Sequence, residues 1–223
     1  MEVVNIINPN LRVQRMSGEW IARGFERLGK KVTTTSGAGS KGDITVVHGP
    51  NYAKQGKTGN VLWLDRCWYG NHEEWVTLGW KTSETTRKFA DGDSTRFMWH
   101  EEMGIVEIEP MRRSGGTIAL DDYQQTVKSS PLVWDTYRGH PAREKHTTTL
   151  YQAMQGHRFA VCGYGTCAAQ AKLAGLHVTC LDPDNIAQTD KRRESWAYSL
   201  AWTQFHRREI ESGFALEALC ALL

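Results

Sequence analysis

Apolar positions in this chain come in short β-branched runs, separated by clusters of glycine, proline and asparagine. EVVNIIN at residues 2–8 predicts a strand, closed by Pro9 and Asn10. The period then changes. Over residues 16–29, Trp20, Ile21, Phe25 and Leu28 fall on one face of a helix, with Ser17 as its N-cap and Gly29 as its stop. Residues 31–35 predict a second strand, and the glycine-rich turn SGAGSKGD follows it. ITVVHGP at 44–50 and NVLWLD at 60–65 predict two more strands. Strand, helix, strand, strand is the opening of an α/β domain.

The middle of the chain is less periodic. EEWVTLGW at 73–80 alternates as a strand does, and residues 82–104 are polar without a clear period. IVEIEP at 105–110 and TIALDD at 117–122 predict short strands, and residues 129–148 are turn-rich with a strand around Val133. From residue 148 the pattern sharpens. A short helix over 148–156 precedes a buried strand, RFAVC, at 158–162. GYGT at 163–166 is a tight turn, CAAQAKLAG at 167–175 a helix closed by Gly175, and HVTCLD at 177–182 the next strand. Connections this short define a βαβ unit. Residues 191–211 predict one long helix that buries Trp196, Leu200, Trp202, Phe205 and Ile210, and residues 214–223 a final apolar helix. No internal repeat and no low-complexity tract stand out. The expected fold is α/β: two small Rossmann-like halves with a cleft between them, residues 1–128 and 129–223.

Length and composition narrow the class. A chain of 223 residues holds one large domain or two small ones. With 40% hydrophobic and 23% charged residues, it has the make-up of a folded domain. Lys plus Arg is 27 and Asp plus Glu is 25, so net charge alone gives no argument for nucleic acid, although a local basic face stays open. No apolar run approaches the roughly 20 residues that span a bilayer. MEVVNIINPNLR has neither a basic n-region nor a long apolar h-region, so the expectation is a cytoplasmic protein with no membrane partner. Cys67, Cys162, Cys167, Cys180 and Cys220 contain no C-x-x-C pair and read as reduced packing residues, with no metal site expected. Nine tryptophans serve a core, and also suit stacking on sugars and bases.

The segment with most chemistry is AVCGYGTCAAQAKLAGLHVTCLDPDN, residues 160–185. A glycine turn between a strand and a helix aims backbone N–H groups and the helix dipole at whatever lies above the strand ends, which suits a phosphate. One interpretation is a dinucleotide fingerprint. Gly163, Gly165 and Ala168 match G-x-G-x-x-G/A, and Asp182 ends the next strand where a ribose-binding acid would lie. Against it, only helices are predicted after this unit. The other interpretation is a resemblance. The strand, the small-residue turn with a hydroxyl, the alanine-rich helix ending AG and the VTCLDP strand resemble the nucleotide-sugar half of a GT-B-type glycosyltransferase. HPARE at 140–144 resembles the His-Pro-Arg segment of capsule-type transferases. RRESWAYSLAWTQFHRREIESG at 192–213 and VLWLDRCWYGNHEEWVTLGW at 61–80 are similar to segments of short phage glycosyltransferase-like proteins. A chain this short would be a minimal version of that fold.

The resemblance implies hexosyl transfer from a nucleotide sugar, such as a UDP sugar, to a hydroxyl acceptor. It implies that Gly163, Tyr164, Gly165 and Thr166 hold the donor diphosphate, with Asp182 near the ribose. Arg138, His140 and Arg143 surround a Gly-His-Pro turn, and guanidinium forks there would stabilise the departing diphosphate. The phage resemblance implies a hydroxymethylated pyrimidine in phage DNA as acceptor, reached by extruding the base, and hence the host cytoplasm. A polysaccharide or small-molecule acceptor stays open. The nucleotide sugar is a substrate, and no separate cofactor is expected. Asp182–Pro183–Asp184 and Asp91–Gly92–Asp93 are D-x-D pairs, compatible with a divalent cation and equally with loop structure.

Transfer needs a base for the acceptor proton. His48 and Asp65 end predicted strands, where ligands bind in open α/β sheets. Asp65 is the first choice, because Arg66 follows it and Trp68 and Tyr69 could stack on the acceptor. Lys191, Arg192, Arg193, Arg207 and Arg208 read as solvated helix faces or as contacts to acceptor phosphates. The alternatives are an NAD(P)-binding oxidoreductase and a non-catalytic nucleotide- or DNA-binding module.

Overall fold

The computed structural model describes residues 2–7, 12–35, 42–49, 60–82, 87–103, 115–183, 185–189 and 191–223. The chain forms two compact units, Met1–Trp99 with Tyr198–Leu223, and His100–Ala197. The division thus falls at 99/100 rather than 128/129, and the last residues return to the first unit. The strand predicted over 105–110 and most of the SGAGSKGD turn lie outside the described residues.

In the first unit, β1 (Val3–Ile7), α1 (Arg12–Arg27), β2 (Lys31–Thr35), β3 (Ile44–His48), β4 (Asn60–Arg66), β5 (Trp75–Lys81), β6 (Arg87–Lys88) and α2 (Thr95–Glu102) follow in order. The parallel strands lie β2-β1-β3-β4, and β5 adds antiparallel to β4. Alternation decides the faces. Val4, Ile6, Ile44, Val46, Leu62, Leu64, Val76, Leu78 and Trp80 point to one core with Trp20, Ile21 and Phe25 of α1. Ile7, Val47, Val61 and Trp63 form a second cluster. α1 begins at Arg12, so Ser17 lies inside the helix rather than at its cap. Its hydroxyl donates to the Gln14 carbonyl, 3.1 Å away.

The second unit carries β7 (Thr117–Leu120), β8 (Thr136–Arg138), α3 (Leu150–Met154), β9 (Phe159–Cys162), α4 (Cys167–Leu173) and β10 (His177–Cys180). All four strands are parallel, in the order β8-β7-β9-β10. The small side chains of Ala168, Ala169 and Ala171 are fully buried on α4, which lets the helix lie close. Val133 is exposed, and the strand predicted there forms a few residues later as β8.

The long helix predicted over 191–211 is broken. α5 (Arg193–Ala201) ends, β11 (Gln204–His206) pairs antiparallel with β5, and α6 (Arg207–Glu211) and α7 (Phe214–Cys220) follow. Arg96 is the physical reason. Its Nε donates to the Ala201 carbonyl, and its terminal nitrogens bond the Gln204 carbonyl and both carboxylate oxygens of Glu209, at 2.5 and 2.8 Å. The guanidinium also lies 4.6 Å from the Phe205 ring centre. α1 packs closely on α6, and a Cβ on Gly24 would stand 2.2 Å from the Ile210 carbonyl.

Each sheet thus has the same parallel order: second strand, first, third, fourth. This is the flavodoxin-like variant of the doubly wound fold. Among the described residues, no helix is long and apolar enough to cross a membrane.

Candidate functional site at the strand ends

In this strand order, ligands bind outside the carboxyl ends of the strands, where the first and third strands diverge. In the second unit that point lies between β7 and β9. The residues after β7 are Asp121, Asp122 and Tyr123, and those after β9 are Gly163, Tyr164, Gly165 and Thr166.

Asp122 is buried. Its Oδ2 accepts the Tyr164 N–H at 2.8 Å and its Oδ1 the Thr126 N–H at 3.1 Å. Burial alone would raise its pKa, but hydrogen bonds from Thr126 and Tyr164 outweigh that and hold the carboxyl below its ordinary range. Asp121 accepts the N–H groups of Val127 and Lys128, at 2.8 and 3.1 Å, and the Tyr137 hydroxyl at 3.0 Å. Burial, helped by Asp121, pushes the Tyr137 phenol up to about 12. The two acids therefore lock the loop after β7 and tie it to the turn after β9.

This bears on the glycine turn. A Cβ on Gly163 would stand 2.3 Å from Asp122 Oδ2. The close approach that the sequence assigns to a phosphate is made by a carboxylate of the chain itself, and the Tyr164 N–H is already bonded to it. Gly165 differs. Its φ is +132°, open only to glycine, and no atom crowds its Cβ position. The Asn185 amide donates to its carbonyl at 3.2 Å. The Thr166 side chain makes no cap hydrogen bond to α4, and Tyr164 is 52% exposed. Sequence reasoning missed Asp121 and Asp122. The signal was present in TIALDD, a strand ending in adjacent acids.

The basic turn after β8 is built around Tyr123. The Arg143 Nε donates to the Tyr123 carbonyl, and its guanidinium lies 4.3 Å over the Tyr123 ring. The His140 ring stands edge-on to the same ring at 5.8 Å, and its Nδ1 accepts the Ala142 N–H. The structure thus joins His140 and Arg143 to the end of β7. Arg138 is engaged elsewhere, donating to the Thr148 carbonyl and hydroxyl at 2.7 and 3.1 Å.

Asp182 follows β10, half-buried, and its carbonyl accepts the Asn185 N–H at 3.2 Å. Asp184 lies outside the described residues. Asp93 accepts from the N–H and hydroxyl of Thr95, which starts α2, so the Asp91–Asp93 pair forms a helix-capping turn. Among the described residues, no group of three or more His, Cys, Asp or Glu side chains is placed to hold a metal ion. A groove of about 760 Å³ runs beside β10, lined among others by Lys172, His177, Lys191, Arg192 and Arg193. Part of this cationic set is bound to backbone: Lys172 donates to the Ala187 and Thr189 carbonyls, and Arg193 to that of Leu173.

In the first unit, the corresponding point lies between β1 and β3, and β3 ends in His48. This imidazole is 3% exposed and packs against α1 near Gly18. Burial pushes its pKa down to about 4, and its Nε2 meets no hydrogen-bond partner among the described residues. Asp65 lies one residue beyond Leu64, the register partner of His48, so the two side chains point to opposite faces of the sheet. Its Oδ1 accepts the Arg66 N–H at 2.8 Å, and Arg66 is exposed.

Trp68 and Tyr69 do not offer the stacking faces expected of them. Each is 7% exposed. The Trp68 indole donates to the Thr203 hydroxyl at 2.8 Å, its backbone N–H to the Gln204 amide oxygen, and the Gln204 amide nitrogen to the Tyr69 carbonyl. Both rings are packing residues that fasten the strand-end loop to the returning C-terminal segment.

The strand order and the ends that carry polar side chains define a Rossmann-like α/β protein with two such sheets. No family model and no curated protein matches the chain. Among solved structures, it is similar to Thermosulfurimonas dismutans KpsC, a β-Kdo 2,7 transferase, with a TM-score of 0.53 and 10% identity over 97% of this chain and 99% of that one. The likeness shows the fold, one that a glycosyltransferase uses. The dinucleotide interpretation is weakened on separate grounds. Its glycine fingerprint belongs to the turn after the first strand, whereas GYGT follows the third strand of its sheet.

Proposed function

We propose that this protein is a glycosyltransferase that moves a sugar from a nucleotide-sugar donor to a hydroxyl acceptor. The observation that carries the proposal is the likeness to a β-Kdo transferase fold over nearly the whole of both chains. In support, each sheet carries polar groups at the strand ends where this fold binds ligands. In the second unit the donor lies over Gly163, Tyr164, Gly165 and Thr166, with His140, Arg143 and Asp182 around it. Asp122 sets the turn, and the exposed ring of Tyr164 offers a face for a base or sugar. In the first unit His48 replaces Asp65 as the preferred base. Its imidazole is neutral at pH 7, and its Nε2 is uncommitted among the described residues. As the acceptor oxygen attacks the anomeric carbon and the bond to the phosphate breaks, the acceptor proton passes to this nitrogen. A hydroxymethylated pyrimidine of phage DNA remains the proposed acceptor on the sequence resemblance alone.

The test begins with donors. UDP-hexoses, nucleotide-activated Kdo and NAD are added to the purified protein, and the melting temperature is read. A rise with a nucleotide sugar, then transfer to a hydroxymethylcytosine oligonucleotide or a sugar acceptor seen by mass, is expected. His48→Gln should lower turnover by about 10²–10⁴-fold with donor affinity intact. Stabilisation by NAD alone would refute the proposal, and full turnover in His48→Gln would return the role of base to Asp65.

A further inference from the structure

The amino ends of the second sheet, opposite the Gly163–Thr166 turn, carry a pair of rings and a set of cations that the proposed transfer does not use. Phe159 and His177 open β9 and β10 and are register partners, so both side chains leave the same face of the sheet. Neither is buried: Phe159 is 43% exposed, and His177 is exposed as well. Their ring centres lie 5.5 Å apart with planes at 33°, and the Arg158 guanidinium stands 5.5 Å from the Phe159 ring centre.

His177 also lines the groove of about 760 Å³ beside β10, so the rings and the groove form one continuous surface. β10 is the edge strand of its sheet. Lys172, Arg192 and Arg193 bring cations to the groove, and Glu194 is the one carboxylate on its wall among the described residues. Lys172 and Arg193 donate to the carbonyls of Ala187, Thr189 and Leu173, which are neutral, so these bonds hold the charges in place without cancelling them. Arg158 and Arg192 are exposed, and their guanidinium groups make no hydrogen bond or ion pair among the described residues.

We propose that this surface binds a single-stranded nucleic acid, with unpaired bases on Phe159 and His177 and phosphates at Arg158 and Arg192. Cations set beside exposed ring faces match a chain that repeats a negative phosphate and a flat base. A duplex offers the phosphates but keeps its bases stacked inside, and an acidic peptide offers charge without a ring. The two rings lie about 10 Å along the strands from Cys162 and the turn after it, so a nucleic acid held here leaves the carboxyl ends of the strands open. The inference is independent of the glycosyl-transfer proposal, and its test contains no sugar donor.

The experiment follows the fluorescence anisotropy of a labelled oligothymidylate of about 15 nucleotides, titrated with the whole protein across a salt series. Binding that weakens with salt is expected. Phe159→Ala should weaken it about 5–150-fold, the loss of one stacked base, whereas Phe159→Tyr should keep it. Each arginine that meets a phosphate adds about 0.7 to the slope of log affinity against log salt, so Arg158→Gln combined with Arg192→Gln should flatten that slope by about 1.4. The replaced side chains are exposed, and far-ultraviolet circular dichroism checks the fold of each variant. A duplex of the same length and polyglutamate should both bind more weakly than the single strand. Absence of binding by the parent protein would overturn the proposal. So would unchanged affinity in Phe159→Ala, an unchanged salt slope in the double arginine variant, or a duplex or polyglutamate that binds as tightly as the single strand.

Discussion

If Gly163 is glycine because Asp122 needs its space, then adding one methyl group should unfold the site, and removing the carboxylate should repair it. In Gly163→Ala the new Cβ would stand 2.3 Å from Asp122 Oδ2 and 2.9 Å from its Cγ. Something must move by about 1 Å, and overpacking of this kind costs about 1–3 kcal/mol. The group that moves is the acceptor for the Tyr164 and Thr126 N–H groups, and each hydrogen bond to a charged group contributes about 1.5–3 kcal/mol. The expected cost of Gly163→Ala is therefore about 2–4 kcal/mol. Asp122→Ala loses both bonds and should cost a similar amount. In the double variant the methyl enters space that the carboxylate has left, so its cost should fall short of the sum by about 1–3 kcal/mol.

The assay is urea unfolding of the four proteins followed by far-ultraviolet circular dichroism. Fluorescence alone is weighted to the first unit, since only Trp134 and Trp196 lie in the second. Gly165→Ala is the control. It is strained by φ +132° rather than crowded, so Asp122→Ala should not relieve its cost. Costs of Gly163→Ala and Asp122→Ala that add within about 0.5 kcal/mol would refute the packing argument. The glycine would then be free to serve a bound ligand instead. Acid supplies a parallel check. Because the folded pKa of Asp122 is lowered, its contribution is full above the ordinary carboxylate range and is lost as pH falls through the folded value, a loss absent from Asp122→Asn.

Two further outcomes are expected. His48 has a folded pKa of about 4 against roughly 6.5 unfolded, so the unfolded chain binds the extra proton in that window. Stability should fall on acidification from about pH 6.5 towards 4, by on the order of 3 kcal/mol, and His48→Gln should remove that slope from pH-dependent melting curves. Arg96→Ala leaves Glu209 without its bidentate partner and the Ala201 and Gln204 carbonyls without their donor, so denaturant unfolding should show a loss of about 3–5 kcal/mol.

What the sequence tells depends on whether neighbours in the chain or distant residues decide the outcome. The strands of the first sheet are legible because β-branched runs bounded by breakers have few other uses, and the β9–α4–β10 unit is legible because its connections are short. β11 is not. Trp196 and Leu200 carry helical spacing directly into Gln204–His206, whereas Arg96 and β5, far away in sequence, hold the carbonyls of Ala201 and Gln204 and pair with β11 where the helix ends. Trp68 and Tyr69 fail for the same reason. Aromatic rings after a strand end suit a ligand as well as a core, and Thr203 and Gln204 settle it for the core. The turn after β9 was correctly located, yet its glycine answers to Asp122, which no local pattern connects with it.

The shared strand order adds a constraint that neither unit gives alone. Each third strand ends at the divergence point, β3 in His48 and β9 in Cys162 ahead of Gly163. On the fourth strands the register partners of those last residues are Leu64 and Cys180. An acid follows each within two residues, Asp65 in one sheet and Asp182 in the other. An acid at that place is thus common to both units, and it cannot by itself mark the one that takes the acceptor proton. The third-strand ends differ in kind. One carries a buried neutral imidazole, the other a turn whose N–H is tied to a carboxylate. Under the proposed transfer, the imidazole is the group of the two that takes the acceptor proton. For that reason His48→Gln and Asp65→Asn should separate in turnover. Equal losses in the two variants, with donor affinity intact, would show that the Asp65 carboxylate and the His48 imidazole both act on the proton and that the third-strand end has no privileged role.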